Sequence, residues 1–152
     1  MRVSARADYA VRALVELAAR RSDLPVKAEQ IADAQDIPLK FLENILADLR
    51  RAGFVESRRG VEGGYRLLQP ATEVTVAAVI RAVEGPLASV RGERPQSLAY
   101  PGASGGLRDV WVALRASMRA VLEHVTIDEI ARGALPAAVT AHTADPAAWR
   151  AP

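Results

Sequence analysis

The sequence predicts a mainly α fold in which three helices precede a glycine-tipped two-stranded hairpin and a long helix stands near the C-terminal end. Three observations carry that prediction. Apolar residues recur at three-to-four spacing over residues 4–21, 38–52 and 107–124. Leu24-Pro25, Ile37-Pro38 and Gly53 punctuate the N-terminal stretches with residues that stop or start helices. The run Arg58-Arg59-Gly60-Val61-Glu62-Gly63-Gly64-Tyr65-Arg66 places three glycines between two short alternating arms, the pattern of a tight hairpin.

The first helix covers residues 4–21, with Ser4 as N-cap and Asp8 in its early turns. Tyr9, Ala13, Leu17 and Ala10, Leu14, Ala18 form its apolar stripe, and Asp23-Leu24-Pro25 stops it. Residues 27–35 predict a short second helix with Ile31 and Ala32 inward. Asp36-Ile37-Pro38 is a turn, and Pro38 at the first helical position opens a third helix with Leu42, Ile45, Leu46 and Leu49 inward. Gly53 ends that helix. Residues 54–57 and 65–68 alternate as strands. Residues 75–84 predict a fourth helix, with Val76, Val79, Ile80 and Val83 apolar.

Residues 86–106 are rich in proline and glycine and lack a period, a loop longer than most compact domains contain. Residues 107–124 form a long amphipathic helix carrying Leu107, Val110, Trp111, Leu114, Met118, Val121 and Leu122. Thr126-Ile127-Asp128-Glu129 resembles a cap and first turn of a short last helix ending at Gly133. The expected division is a head at 1–85, a loop at 86–106, the long and short helices at 107–133, and an Ala/Pro-rich, mostly disordered tail at 134–152.

The chain has 152 residues, enough for one domain, and half of them are hydrophobic, so a core is available. Net charge is only +2, but it is unevenly placed: residues 50–66 carry five arginines against two glutamates. Such a local footprint suits a small groove-reading element better than a general polyanion binder. With no cysteine, disulfides and thiolate-held metals are excluded, and His124 and His142 form no spaced ligand pair. A signal-peptide core and membrane-length apolar runs are lacking, so the expected location is the cytoplasm and no membrane partner is expected. No nucleophile–base pair or metal-ligand spacing is present, and the Gly63-Gly64 pair sits in a hairpin rather than between strand and helix. An enzyme is therefore not expected.

Helix, short helix, turn, helix and hairpin, in that order, make a winged helix-turn-helix DNA-binding domain with a two-stranded wing. The second helix of such a pair enters the major groove and reads bases from its N-terminal turns. Those turns carry Lys40, Phe41, Glu43 and Asn44, on the side left outward by the apolar set. Lys40 suits guanine or phosphate, Glu43 cytosine N4, Asn44 adenine, and Phe41 a thymine methyl. Arg50 and Arg51 suit phosphates or the helix C-terminus. Arg58 and Arg59 on the wing suit phosphates or a minor groove, and Tyr65 completes the candidate set. For each residue alone, a solvated surface position is the competing reading; the set together points to double-stranded DNA.

These stretches resemble the winged-helix regulators of the IscR/CymR/NsrR type, the Rrf-two family. The resemblance is carried by residues 7–14, by Ile37-Pro38-Leu39-Lys40-Phe41-Leu42-Glu43-Asn44-Ile45-Leu46, by residues 49–55 and by the wing at 59–65. It continues through residues 79–85 and 125–130, and covers roughly residues 1–133. It implies a regulator, expected to be a repressor, that dimerises through the 107–124 helix on a palindromic operator, with Arg59 entering the minor groove. Cluster-binding members place three cysteines in the loop before the long helix, where this chain has none, so no iron–sulfur cofactor is expected. Asp8, which matches a cluster-ligand position in one nitric-oxide-sensing branch, is then a helix-terminal charge or an arginine partner.

Control is left to a partner protein, as in the cysteine-metabolism branch, or to a small ligand. An anionic metabolite would suit Tyr100, Arg91, Arg94, Arg108 and Trp111, unless Trp111 is dimer core and the arginines are solvated. The second functional reading is a winged-helix interaction adaptor with little DNA affinity, motivated by the low net charge and by Glu43, Glu56 and Glu62 near the reading surface.

Overall fold

The computed structural model of the chain describes residues 2–150. Helix α1 (Ala5–Ala19) runs through the middle of the head. Ser4 caps it, its Oγ accepting the Ala7 N–H at 3.0 Å. Ala7, Ala10, Ala13 and Leu14 are at most 1% exposed. The small alanine side chains let α2 (Ala28–Gln35), α3 (Leu39–Arg51), α4 (Val76–Glu84) and α6 (Ile127–Arg132) pack directly on α1.

Asp36 takes a left-handed conformation (φ 49°) and turns the chain from α2 into α3, and the Ile37 N–H donates to the Ala32 carbonyl at 3.0 Å. Pro38 stands as the N-cap with ψ 123°, so α3 starts one residue later than the sequence suggests. Leu42, Ile45, Leu46 and Leu49 are fully buried, as their spacing predicts.

Strands β1 (Val55–Arg58) and β2 (Gly64–Leu67) pair antiparallel, with Ser57 opposite Tyr65 and Arg58 opposite Gly64. The hairpin is tied to the helices through Val26, which exchanges both backbone hydrogen bonds with Tyr65 at 2.8 and 2.7 Å. Gly64 makes that approach possible. Its φ is +144°, and a Cβ there would lie 2.5 Å from the Val26 carbonyl carbon and oxygen.

The segment leading into α4 pairs with the segment leaving the long helix α5 (Leu107–Leu122). Val76 N–H donates to the Val125 carbonyl and Ile127 N–H to the Val74 carbonyl, both at 2.9 Å. Thr126 and Glu129 then cap α6 reciprocally, at 2.8 and 3.2 Å. Ile127 is fully buried. The short helix expected to belong with the long one is therefore part of the head, because its cap is bonded to the entry of α4 and its body lies on α1.

Residues 86–106 fold over α5 through two 3-10 turns, Pro95–Ser97 and Gly102–Ser104, with Pro95 and Leu98 buried. The tail also departs from expectation. Residues 136–150 form α7 (Ala137–Thr143), packed on α5, and a 3-10 turn Pro146–Trp149. Alanine has the highest helix propensity, Pro136 precedes the helix, and Trp149 Nε1 donates back to the Thr143 carbonyl at 2.8 Å. Residues 151 and 152 of the expected tail lie outside the described residues. No helix among the described residues is long and apolar enough to cross a membrane.

A Gly64→Ala chain is expected to lose about 1–3 kcal/mol of stability, because Ala meets both the positive φ and the Val26 backbone. Urea unfolding of the two chains side by side measures it.

Candidate nucleic-acid interface

The N-terminal turns of α3 leave Lys40, Phe41, Glu43 and Asn44 exposed on the side opposite the buried leucines. Phe41 is 54% exposed and meets Tyr9 of α1 edge-on, with ring centroids 6.4 Å apart. The Arg12 guanidinium lies over the Tyr9 ring at 5.4 Å, and Arg12 pairs with Asp8 at 3.2 Å. Asp8 thus serves as an arginine partner, one of the two roles left to it. Asn44 Nδ2 donates to the Lys40 carbonyl at 3.2 Å, which leaves its amide oxygen outward.

The wing projects beside α3. Arg58, Arg59 and the turn residues Gly60, Val61 and Glu62 are exposed, and Gly63 N–H closes the turn on the Gly60 carbonyl at 3.0 Å. Tyr65 is half-buried and packs on the core, so it anchors the wing rather than projecting from it. A groove separates wing from helix, lined by Glu43, Gly60, Gly63, Tyr65 and, from the start of α2, Lys27 and Glu29. Lys27 was not singled out in the sequence. Only the Val26–Tyr65 pairing, far apart in the chain, brings it to the wing.

The charges sort by location. Arg51 and Arg6 both pair with Asp48, and Arg66 pairs with Glu56. Arg50 Nη1 donates to Ser57 Oγ at 3.0 Å, from α3 to β1. Among the described residues, Lys27, Lys40, Arg50, Arg58 and Arg59 have no carboxylate partner. Cations left uncompensated on one exposed face favour a polyanion, and α3 offers a rigid element beside them.

The candidate dimerisation residues lie on α5, of which no residue is fully buried. Leu107, Leu114, Met118, Val121 and Leu122 are half-covered and Val110 is 55% exposed. Trp111 faces the chain's own loop, its Nε1 donating to Tyr100 Oη at 3.1 Å. Arg91 lies over the Tyr100 ring at 5.6 Å, and Arg108 pairs with its neighbour Asp109. These five candidate ligand residues therefore do not line one cavity: three of them satisfy one another.

The Rrf2 family model, described as an iron-dependent transcriptional regulator, matches residues 3–133. An HTH-type transcriptional regulator of Mycobacterium tuberculosis, Rv1287, is 53% identical over 136 residues, spanning 90% of this chain and 84% of the relative. The solved structure of CymR (YrzC), the global cysteine regulator of B. subtilis, superposes with a TM-score of 0.70 at 27% identity, covering 88% of this chain and 98% of that one. T. potens IscR superposes with a TM-score of 0.71 at 30% identity, covering 88% of each chain.

The donor set does not fit the iron of that family description. There is no cysteine, residues 86–106 offer Glu93 as their single carboxylate, and neither histidine lies there. Among the described residues, no three His, Asp or Glu side chains gather as a metal site.

Phe41→Ala is expected to cost no more than about 1.5 kcal/mol, the worth of one edge-on aromatic contact on a half-exposed ring. Urea unfolding with unchanged circular dichroism checks this.

Proposed function

The chain belongs to the Rrf2 family of transcriptional regulators, and from that premise we propose that it is a sequence-specific DNA-binding repressor. In this reading it acts as a cytoplasmic homodimer on a palindromic operator and is not an enzyme. Lys40, Phe41, Glu43 and Asn44 read the major groove. Arg58 and Arg59 take the wing to phosphates or a minor groove, while Arg50 and Lys27 hold phosphates. The single observation behind this is the row of carboxylate-free cations beside the exposed turns of α3. Glu43, lining the groove between α3 and the wing, then favours cytosine N4 and penalises a phosphate or guanine O6 at its position.

Dimerisation is proposed through α5, whose apolar residues find only partial cover within their own chain. Arg51 and Tyr65 take supporting roles, Arg51 because it shares Asp48 with Arg6 and Tyr65 because it is packed on the core. Control is proposed to be free of an iron–sulfur cluster and to run through a partner protein or a small ligand.

Selection of bound sequences from a random DNA pool should enrich a palindrome. Arg59→Ala should weaken binding to it and reduce the slope of log affinity against log salt by about two, one for each protomer. No enrichment, with binding indifferent to salt, would establish the adaptor reading instead.

Sedimentation should give a dimer at micromolar concentration, and Val110→Asp with Val121→Asp should give a monomer that no longer holds the palindrome. The purified protein should be colourless; a brown protein with visible absorption bands would contradict the cluster-free reading.

A further inference from the structure

We propose that the cavity between the C-terminal end of α4, residues 85–94 and α5 binds a small organic anion with an oxyanion head and an apolar body. The cavity has a volume of about 400 Å³, and four arginines line it: Arg81 from α4, Arg94 from the loop, and Arg115 and Arg119 from α5. Three separate elements thus converge cations on one space.

Their compensation is incomplete. Glu123 serves two of them: Arg119 Nε lies 3.0 Å from its Oε1, and Arg81 pairs with the same oxygen. Those two guanidiniums lower the Glu123 pKa to about 2, so its charge is committed to them across the physiological range. Arg115 donates only to the neutral Gln96 amide oxygen. Arg94 and Arg115 have no carboxylate partner among the described residues. Of the four guanidiniums, two share one carboxylate and two have none as a partner. Gathering like charges is unfavourable in itself, and an oxyanion relieves it with the bidentate geometry that guanidinium forks offer.

The second half of the ligand follows from the neighbouring space. A cavity of about 590 Å³ shares the wall Pro86, Leu87 and Ala88 and continues over Val90, Pro95 and the loop-facing Trp111. A head of the phosphate or sulfate class on the arginines would carry its body onto this apolar shelf. The sequence had suggested an anion site on this loop but with other residues. Of that set only Arg94 lines the arginine cavity, while Tyr100 and Trp111 bond each other. The site specifies the small-ligand control proposed above, yet its test needs no DNA.

Calorimetric titration of the full chain with phenyl phosphate, inorganic phosphate and phenol, at constant ionic strength, decides it. Phenyl phosphate should saturate one site per chain at least about tenfold more tightly than inorganic phosphate, with phenol not binding. Combined Arg94→Ala and Arg115→Ala should weaken phenyl phosphate about tenfold or more. Arg94→Lys with Arg115→Lys, which keeps charge and loses the fork, should fall between. Arg59→Ala, on the wing, should leave the titration unchanged. The proposal is overturned if phenyl phosphate does not bind, binds no better than inorganic phosphate, or binds equally to the double alanine chain. Loss in Arg59→Ala instead would assign the binding to the DNA face and equally overturn it. None of these outcomes bears on whether the protein binds a palindrome.

Discussion

The close approach of four helices to the alanine face of α1 is the constraint on which the rest of the structure depends. Ala7, Ala10 and Ala13 recur every three residues, all essentially without solvent contact. A larger side chain at any of them would push α4 or α6 outward, since interaxial distance follows side-chain size at the crossing. Helices α3, α4 and α6 are thereby fixed against one element. Arg6 reinforces the junction from α1 itself. Its Nε donates to the Val83 carbonyl at the end of α4 at 3.2 Å, and it pairs with Asp48 on α3. A shift at the C-terminal end of α4 would therefore be met directly at the third turn of α3.

Charge placement, not net charge, separates the functional surfaces. At +2 the chain as a whole is nearly balanced. Several arginines meet carboxylates one helical turn away, as Arg12 meets Asp8, Arg20 meets Glu16 and Arg132 meets Asp128. Exposed pairs of this kind contribute little stability. What they do is silence those surfaces electrostatically. Of the cations without a carboxylate partner among the described residues, Lys27, Lys40, Arg50, Arg58 and Arg59 stand beside α3 and the wing, and Arg94 and Arg115 stand by the end of α4.

What the sequence disclosed follows from the range of the interactions concerned. The inward set of α3 and the hairpin were legible, because periodicity and glycine chemistry act between near neighbours. Gly64 signalled a tight turn, but its actual reason, the Val26 backbone against it, spans nearly forty positions and left no local mark. Lys27 was missed for the same cause. The membership of α6 in the head rests on the pairing of Thr75 with Thr126, two ordinary threonines in sequence. The tail was expected to be mostly disordered because it is rich in alanine and proline; its alanine run instead forms a helix that α5 receives.

Residues 86–106 hold no cysteine and are kept in place by packing and hydrogen bonds. A long irregular loop must offset the entropy of ordering about twenty residues. Here the loop buries Pro95 and Leu98 and places Tyr100 on Trp111, with Arg91 over the Tyr100 ring. Val90 and Glu93 exchange backbone hydrogen bonds at 3.0 Å, closing a small turn within it. Burial and aromatic contact thus supply the ordering. Such contacts are individually weak and tolerate adjustment, unlike metal–ligand bonds of fixed length. Leu87 of this loop shares one cavity wall with Trp111 and Leu114 of α5, and it can shift against them without breaking a bond.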